Sequence, residues 1–78
     1  MQKIRVKIEF VKDNKFHLLA ENIELTFEDG VSCEPLPKTK VADEALRTQH
    51  PEIWALIPTY QINGYPYRCG LCYTRQRD

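Results

Sequence analysis

The segment that decides the fold is KIRVKIEFV, residues 3–11. Apolar and charged side chains alternate in it, and successive side chains of a strand point to opposite faces. The apolar residues of one face are Ile4, Val6, Ile8 and Phe10, and the charged residues of the other are Arg5, Lys7 and Glu9. We therefore predict a strand that is buried on one face and exposed on the other.

A second strand is predicted directly after this one. Asp13-Asn14 supplies a turn, because short Asx side chains tolerate left-handed backbone and form local hydrogen bonds. The alternation resumes at Phe16, Leu18 and Ala20. The first two strands should therefore form an antiparallel hairpin.

The alternation then continues with the opposite parity at Ile23, Leu25 and Phe27. A change of parity moves every side chain to the other face of a sheet. A bulge or a tight turn at Glu21-Asn22 must therefore absorb one residue.

Residues 16–27 also fit a helix, because their apolar side chains follow the spacing i, i+3, i+4, i+7 and i+11. We prefer strands, since Asp29-Gly30 followed by residues 31–33 is typical of a hairpin turn that re-enters a sheet. The prolines that follow cannot donate to a ladder and should end that strand.

The predicted fold class is α+β. It consists of a three- or four-stranded antiparallel meander from Lys3 to Cys33, with a helical segment from about residue 40 to residue 57 packed on its apolar face. Pro51 should divide that segment, because it biases the residue before it out of helical geometry and suits the first position of a new helix.

A further hairpin is predicted near the C-terminus. Asn63-Gly64 is the strongest short hairpin signal and lies between aromatic residues. Cys69 and Cys72 follow directly, so we expect this hairpin to carry the cysteine pair.

Length and composition predict one small domain. The chain has 78 residues, of which 42% are hydrophobic and 28% are charged, and this is ordinary globular composition. A domain of this size buries only about 60% of the surface that its unfolded chain exposes. The sequence contains no run of 18 apolar residues and no signal-peptide core, so we expect a cytoplasmic protein that does not bind a membrane.

Cys69 and Cys72 are candidate zinc ligands. Two cysteines separated by two residues can present both sulfurs to one tetrahedral ion at about 2.3 Å. The stretch from Tyr67 to Cys72 resembles a zinc knuckle and the first half of a zinc finger. Cys33 and His50 would complete a Cys3His set within one chain. Alternatively, two chains of a symmetric dimer could each contribute the pair to one ion.

Two other interpretations of the pair stay open. A dithiol that cycles through a disulfide would use the same residues for redox chemistry. The third interpretation is ordinary thiols, or a local disulfide, without a function of their own.

The charges of the chain sum to zero but are unevenly distributed. Residues 21–37 carry five acidic side chains and no basic one. One interpretation is cross-strand pairing of these acids with bases such as Lys3 and Arg5. The other is an acidic face that meets a basic partner, with Glu24 and Glu28 as candidate contacts.

The C-terminal segment interleaves tyrosines with arginines. The candidate partner-binding residues there are Tyr65, Tyr67, Arg68, Tyr73, Arg75 and Arg77. Aromatic rings beside guanidinium groups suit single-stranded nucleic acid and protein interfaces alike. The pI of about 6.7 lies well below the value of about 9 or more that is usual for nucleic-acid binders, so we expect a protein partner first.

Enzymatic activity is not expected. The three glycines are too dispersed to cradle a phosphate, and so small a domain has little room for a pocket of about 300 Å³. We predict a small non-enzymatic protein-binding module that occupies a surface of a larger protein, as accessory or inhibitory proteins of bacteria and phages do. The alternatives are a zinc-knuckle-stapled regulator that binds nucleic acid and a thiol redox protein.

Overall fold

Two long antiparallel strands form the first hairpin of the fold. In this computed structural model, which describes residues 1–77, β1 spans Gln2–Lys12 and β2 spans Lys15–Phe27. Asp13 and Asn14 join them with φ angles of 54° and 61°, the left-handed backbone that a two-residue type I′ turn requires. The predicted first strand and the turn after it are both confirmed.

β2 contains the bulge that the change of parity predicts. Its pairing with β1 shifts register on both sides of Ile8, so β2 carries extra residues at this point. Asn22 lies there with a φ of 56°, in the left-handed region. The bulge at Glu21-Asn22 is confirmed. The helical alternative for residues 16–27 is wrong, since they all belong to one strand of 13 residues.

The third strand of the sheet comes from the end of the chain. β5 spans Leu71–Gln76 and pairs antiparallel with β1, which gives the strand order β2-β1-β5. β1 is therefore the central strand, with a neighbour on each edge.

Residues 31–33 form no strand. Gly30 does turn the chain, with a φ of 96°, but the segment after it runs outside the sheet. A further strand of a meander would pair with the outer edge of β2, and at Thr26 that edge bonds to the Gln49 side chain at the end of α1 instead. The predicted meander of three or four strands from Lys3 to Cys33 is therefore wrong. That range holds two strands, and Cys33 is buried in the core instead.

Two helices follow the first hairpin. α1 spans Thr39–Gln49 and α2 spans Pro51–Trp54. His50 separates them with a φ of −133°, and Pro51 occupies the start of α2, where an amide would have no helical acceptor. The predicted helix from about residue 40 and its division at Pro51 are confirmed, although regular helix ends at Trp54 and does not reach residue 57.

The core lies between the three-stranded sheet and α1. The buried cluster consists of Ile4, Val6, Ile8, Leu25, Phe27, Cys33, Ala45 and Leu46. Burial of one such aliphatic side chain contributes about 1.5–3 kcal/mol. The apolar face of the first strand, from Ile4 to Ile8, is thus the centre of the core, as the alternation predicts.

The remaining strands form a separate hairpin, with β3 at Thr59–Ile62 and β4 at Tyr65–Arg68. Cys69 directly follows β4, and Cys72 lies in β5, so the pair spans the junction between the two sheets. The fold is α+β and mostly antiparallel sheet. Within residues 1–77, no helix is both long enough and apolar enough to cross a membrane.

Candidate functional site

The β3–β4 hairpin is closed by the turn that its sequence predicts. Asn63 and Gly64 have φ angles of 52° and 81°, so both adopt the left-handed backbone of a type I′ turn. Ile62 and Tyr65 flank the turn as cross-strand partners. A two-residue loop of this type fixes the register, and the register determines which side chains share a face.

One face of this hairpin is apolar. Residues that lie opposite each other in an antiparallel pair point to the same side of the sheet, and here Tyr60 is opposite Tyr67 and Ile62 is opposite Tyr65. We call these four residues the aromatic face. Their exposed fractions run from 45% at Tyr60 to 69% at Tyr65, so all four side chains are exposed to solvent.

The rings of Tyr60 and Tyr67 support each other across the strands. Their centroids are 5.9 Å apart and their planes differ by 26°, which is a stacked arrangement. Such pairs add about 0.5–1.5 kcal/mol beyond the apolar area that they bury. The aromatic face is therefore partly ordered before anything binds to it.

The hairpin is attached through its other face. Arg68 lies there opposite Thr59, and its guanidinium carbon is 5.0 Å from the centroid of the Trp54 ring. Its Nη1 also donates to the Trp54 carbonyl at 3.0 Å. The Cys69 amide donates to the Pro58 carbonyl at 3.0 Å, at the base of the hairpin. These contacts hold the polar face to α2 and leave the aromatic face outward.

A cleft of about 450 Å³ opens at the foot of the aromatic face. It is lined by Tyr60, by Cys69 and Gly70, and by residues 11–14 of the β1–β2 turn. The Val11 amide donates to the Gly70 carbonyl at 3.0 Å, so β1 is bonded to the short segment that links the two sheets. A side chain of a partner that lies on the aromatic face could enter this cleft.

The four predicted zinc ligands differ in burial and in their surroundings. Cys33 and Cys69 are buried, Cys72 is half-buried in β5, and the His50 Nε2 atom is 2.7 Å from the Glu24 carbonyl. Within residues 1–77, no group of three or more His, Cys, Asp or Glu side chains is placed to hold a metal ion. The structure therefore does not assemble the Cys3His set. Zinc bound by Cys69 and Cys72 stays a prediction.

The predicted tyrosine and arginine contacts divide into two groups. Tyr65, Tyr67 and Arg68 lie on the hairpin, whereas the other three lie at or after β5. The Tyr73 hydroxyl donates to Asp43 Oδ1 at 2.6 Å, and its ring packs against the core. Burial and this hydrogen bond raise the pKa of Tyr73 well above its ordinary value. Tyr73 therefore joins β5 to α1 and is not part of the exposed surface.

Arg75 has a structural role as well. Its Nη1 donates to the carbonyls of Cys33 and Pro35 at 3.1 and 3.2 Å. These bonds attach the loop before α1 to β5. Arg77 is the last residue of the predicted set and lines a different cleft, near the start of β1.

The acidic segment shows the cross-strand pairing that one interpretation predicts. Glu24 lies opposite Arg5, and its carboxylate is 3.7 Å from Lys3 Nζ. Both side chains of the Lys3–Glu24 pair are largely exposed, so the pair contributes at most about 1 kcal/mol. Glu28 is exposed and directly follows the end of β2.

Sequence reasoning missed Ile62 as part of the site and Trp54 as the support of Arg68. The signal for Ile62 was present in TYQINGYPYR, residues 59–68. Every second residue is large and apolar both before and after the turn, and Ile62 is one of them. The Trp54 contact had no local signal, since it joins residues 14 positions apart. No known protein family, curated protein or solved structure matches this chain.

Proposed function

We propose that the chain is a small non-enzymatic protein-binding module that occupies a surface of a larger protein through the aromatic face. The observation that carries this proposal is that all four large residues on one side of the β3–β4 hairpin are exposed. Contiguous apolar surface of this kind marks interaction sites in small proteins.

The low intrinsic stability expected of an exposed two-stranded hairpin supports this function. A two-stranded hairpin alone is marginally stable in water, and this one has exposed residues along both strands. It is held at its base by the Arg68–Trp54 contact. A partner that covers the aromatic face would remove three tyrosine rings and Ile62 from water, and tyrosine is enriched among the residues that dominate binding energy.

The composition of the aromatic face favours protein over nucleic acid. Ile62 lies among the tyrosines, and the arginine of this hairpin points to the opposite side. Nucleic-acid binding needs basic groups beside the stacking rings, because phosphate contacts supply most of the affinity. We therefore expect an apolar surface on the partner, with polar groups at its rim for the tyrosine hydroxyls.

Affinity capture from the native host with matched variants tests the proposal. Tyr65→Ser and Ile62→Ser should each weaken partner binding by about tenfold or more, as expected at the centre of an interface. Val41→Ser is the control, because Val41 is an exposed apolar residue on α1 near the other end of β2. Circular dichroism should show the same fold for all three variants.

A photo-crosslinking amino acid at position 65 adds a direct readout. It should join the chain to the captured protein, whereas the same group at position 41 should not. Hairpin variants that capture the partner as well as the unchanged chain would refute the proposal. So would crosslinks to nucleic acid alone, which would instead support the nucleic-acid alternative.

A further inference from the structure

A second cleft lies at the other end of the sheet, where β1 begins and β5 ends. It has a volume of about 490 Å³ and is lined mainly by polar residues. Among residues 1–77, the basic residues of its lining are Lys3, Arg5, Arg75 and Arg77, and the acidic one is Glu34. Four of the 11 basic residues of a chain with zero net charge thus line a single cleft.

The antiparallel pairing of β1 with β5 brings the backbone positions of these bases to one end of the sheet, where the Arg75 side chain shares the core-facing side with Val6 and those of Lys3 and Arg5 take the other side. Arg5 lies opposite Gln76, and Val6 lies opposite Arg75. The start of one strand and the end of the other therefore meet at the same end of the sheet. Residues more than 70 positions apart in the sequence, such as Lys3 and Arg77, line one cleft as a result.

Arg75 is held in place before any ligand arrives. Its Nη1 donates to two backbone carbonyls and to Glu34 Oε1 at 3.0 Å. Its side chain is only 32% exposed. A guanidinium fixed in this way loses little conformational entropy on binding, and its planar fork suits the oxygens of a phosphate group.

Glu34 is a weak competitor for this guanidinium. Its side chain is 83% exposed, and ion pairs with so exposed a partner contribute little to stability. A multiply charged anion could therefore replace Glu34 beside Arg75 and draw on Arg77 as well.

We propose that this cleft binds a phosphate group. The phosphate would belong either to a nucleotide-sized molecule or to a nucleic-acid backbone. The cleft volume lies within the range of about 300–1,000 Å³ that is usual for small-molecule sites. The basic lining selects for negative charge, and the scarcity of apolar side chains argues against a ligand bound by its hydrophobic surface. This site is separate from the aromatic face and extends the function beyond protein binding.

Amide NMR spectra recorded during titration at low salt test the proposal. Inorganic pyrophosphate should shift the signals of residues 3–5, 34 and 75–77 and saturate. A single-stranded oligonucleotide forms the second arm. Tighter binding by the oligonucleotide, with a steep loss of affinity as salt rises, would identify a nucleic-acid backbone as the source of the phosphate. Saturable binding of pyrophosphate alone would identify a small ligand. Absence of saturable shifts at these residues in both arms would overturn the proposal.

Two variants with opposite expected effects strengthen the test. Arg77→Gln should weaken anion binding by about threefold, and Glu34→Gln should tighten it by a similar factor, because each removes one exposed charge of the cleft. Lys15→Gln is the control. It removes the same charge as Arg77→Gln but lies at the β1–β2 turn, at the far end of β1. Arg75 is left unchanged because it holds the loop before α1.

Equal losses for Arg77→Gln and Lys15→Gln would show a general charge effect and would refute a specific site. Weaker binding by Glu34→Gln would refute it too. Arg77→Gln should leave capture of the protein partner unchanged, since Arg77 is not on the hairpin. A failure of this site is thereby distinguishable from a failure of the aromatic face.

Discussion

Gln49 and Thr26 are joined by two hydrogen bonds in which a side-chain amide takes the place of a neighbouring strand. The Thr26 amide donates to Gln49 Oε1 at 2.9 Å, and Gln49 Nε2 donates to the Thr26 carbonyl at 2.7 Å. β2 is an edge strand of the sheet, and unpaired edges invite pairing with other chains. The end of α1 thus covers part of the edge that β2 would otherwise expose.

Replacing Gln49 should therefore weaken this edge. We expect Gln49→Ala to lower the free energy of unfolding by about 1–2 kcal/mol, because two hydrogen bonds are lost. Gln49→Glu keeps an acceptor for the Thr26 amide but no donor for its carbonyl. Hydrogen exchange at the Thr26 amide should accelerate in Gln49→Ala and stay slower in Gln49→Glu. Unchanged exchange in Gln49→Ala would show that the amide does not protect this edge.

Tyr73 should make folding stability depend on alkaline pH. Its pKa is raised in the folded protein by burial and by Asp43, whereas in the unfolded chain it is close to 10.0. Above about pH 10, the unfolded state loses the phenolic proton and the folded state keeps it, so stability falls as pH rises. Below that pH the contribution of Tyr73 to the free energy of unfolding is fully present. Urea melts between pH 8 and 11 would measure the slope.

The Tyr73→Phe variant should remove that part of the slope and lower stability at neutral pH by about 1 kcal/mol through loss of the Asp43 bond. Tyr67→Phe, at an exposed tyrosine, is the matched control and should keep the full slope. A Tyr73→Phe variant with an unchanged alkaline slope would contradict the assignment to Tyr73.

The bulge in β2 gives a prediction about Asn22. Its φ of 56° is tolerated by asparagine and glycine but is strained for β-branched residues. Asn22→Val should therefore lower the free energy of unfolding by about 1–2 kcal/mol, whereas Asn22→Gly should change it by only a few tenths. Chemical melts of both variants decide this. Equal effects would mean that the backbone of the bulge relaxes when the side chain changes.

The parts of the fold that the sequence predicts are those with local causes. The alternation of residues 3–11 and the turn residues Asp13-Asn14 and Asn63-Gly64 act within a few positions, so one sequence is enough to identify them. The pairing of β5 with β1 had no such signal, because it joins residues about 60 to 70 positions apart and only the folded sheet selects the partner.

The same limit applies to the candidate site. The sequence alone does not distinguish Tyr67 from Tyr73, since both lie in the same Tyr/Arg-rich segment. In the structure, Tyr67 is exposed on the hairpin and Tyr73 is hydrogen-bonded to Asp43. Whether a tyrosine faces solvent depends on what packs against its strand, which is a tertiary property. The sequence therefore predicted the segment but not its division into a surface part and a structural part.

The three cysteines should differ in reactivity. Cys33 and Cys69 are buried, and Cys72 is half-buried. We expect one thiol to react quickly with a water-soluble thiol reagent in the folded protein, and the other two to react only when the chain unfolds. Cys72→Ser should remove the fast reaction, whereas Cys33→Ser should leave it. Two or three fast thiols in the unchanged protein would contradict this order of burial.

The same assay tests zinc. If Cys69 and Cys72 bind the ion, zinc should slow the Cys72 reaction, and a chelator should restore it. Half an ion for each chain would indicate the dimer-bridging arrangement, in which two chains supply four sulfurs. If zinc changes neither the thiol reactivity of Cys72 nor the melting temperature, the prediction of zinc binding is wrong.

Two deletions separate the structural and the surface parts of the C-terminal segment. Truncation after Gly70 removes β5, which pairs with six residues of β1 and supplies Leu71 and Tyr73 to the core. Total stability of small domains is about 5–15 kcal/mol, and two apolar side chains with a strand of hydrogen bonds form a large share of it. We expect the truncated chain to lose its cooperative melt in circular dichroism.

Removal of the hairpin should have the opposite result. Thr59 and Arg68 are cross-strand partners, so residues 60–67 can be replaced by Asn-Gly without moving the ends of the chain. This variant should melt cooperatively, because the hairpin supplies none of the buried core cluster, and it should lose its protein partner. A hairpin deletion that unfolds would show that β3 and β4 stabilise the domain. A folded deletion that still binds the partner would exclude the aromatic face as the binding surface.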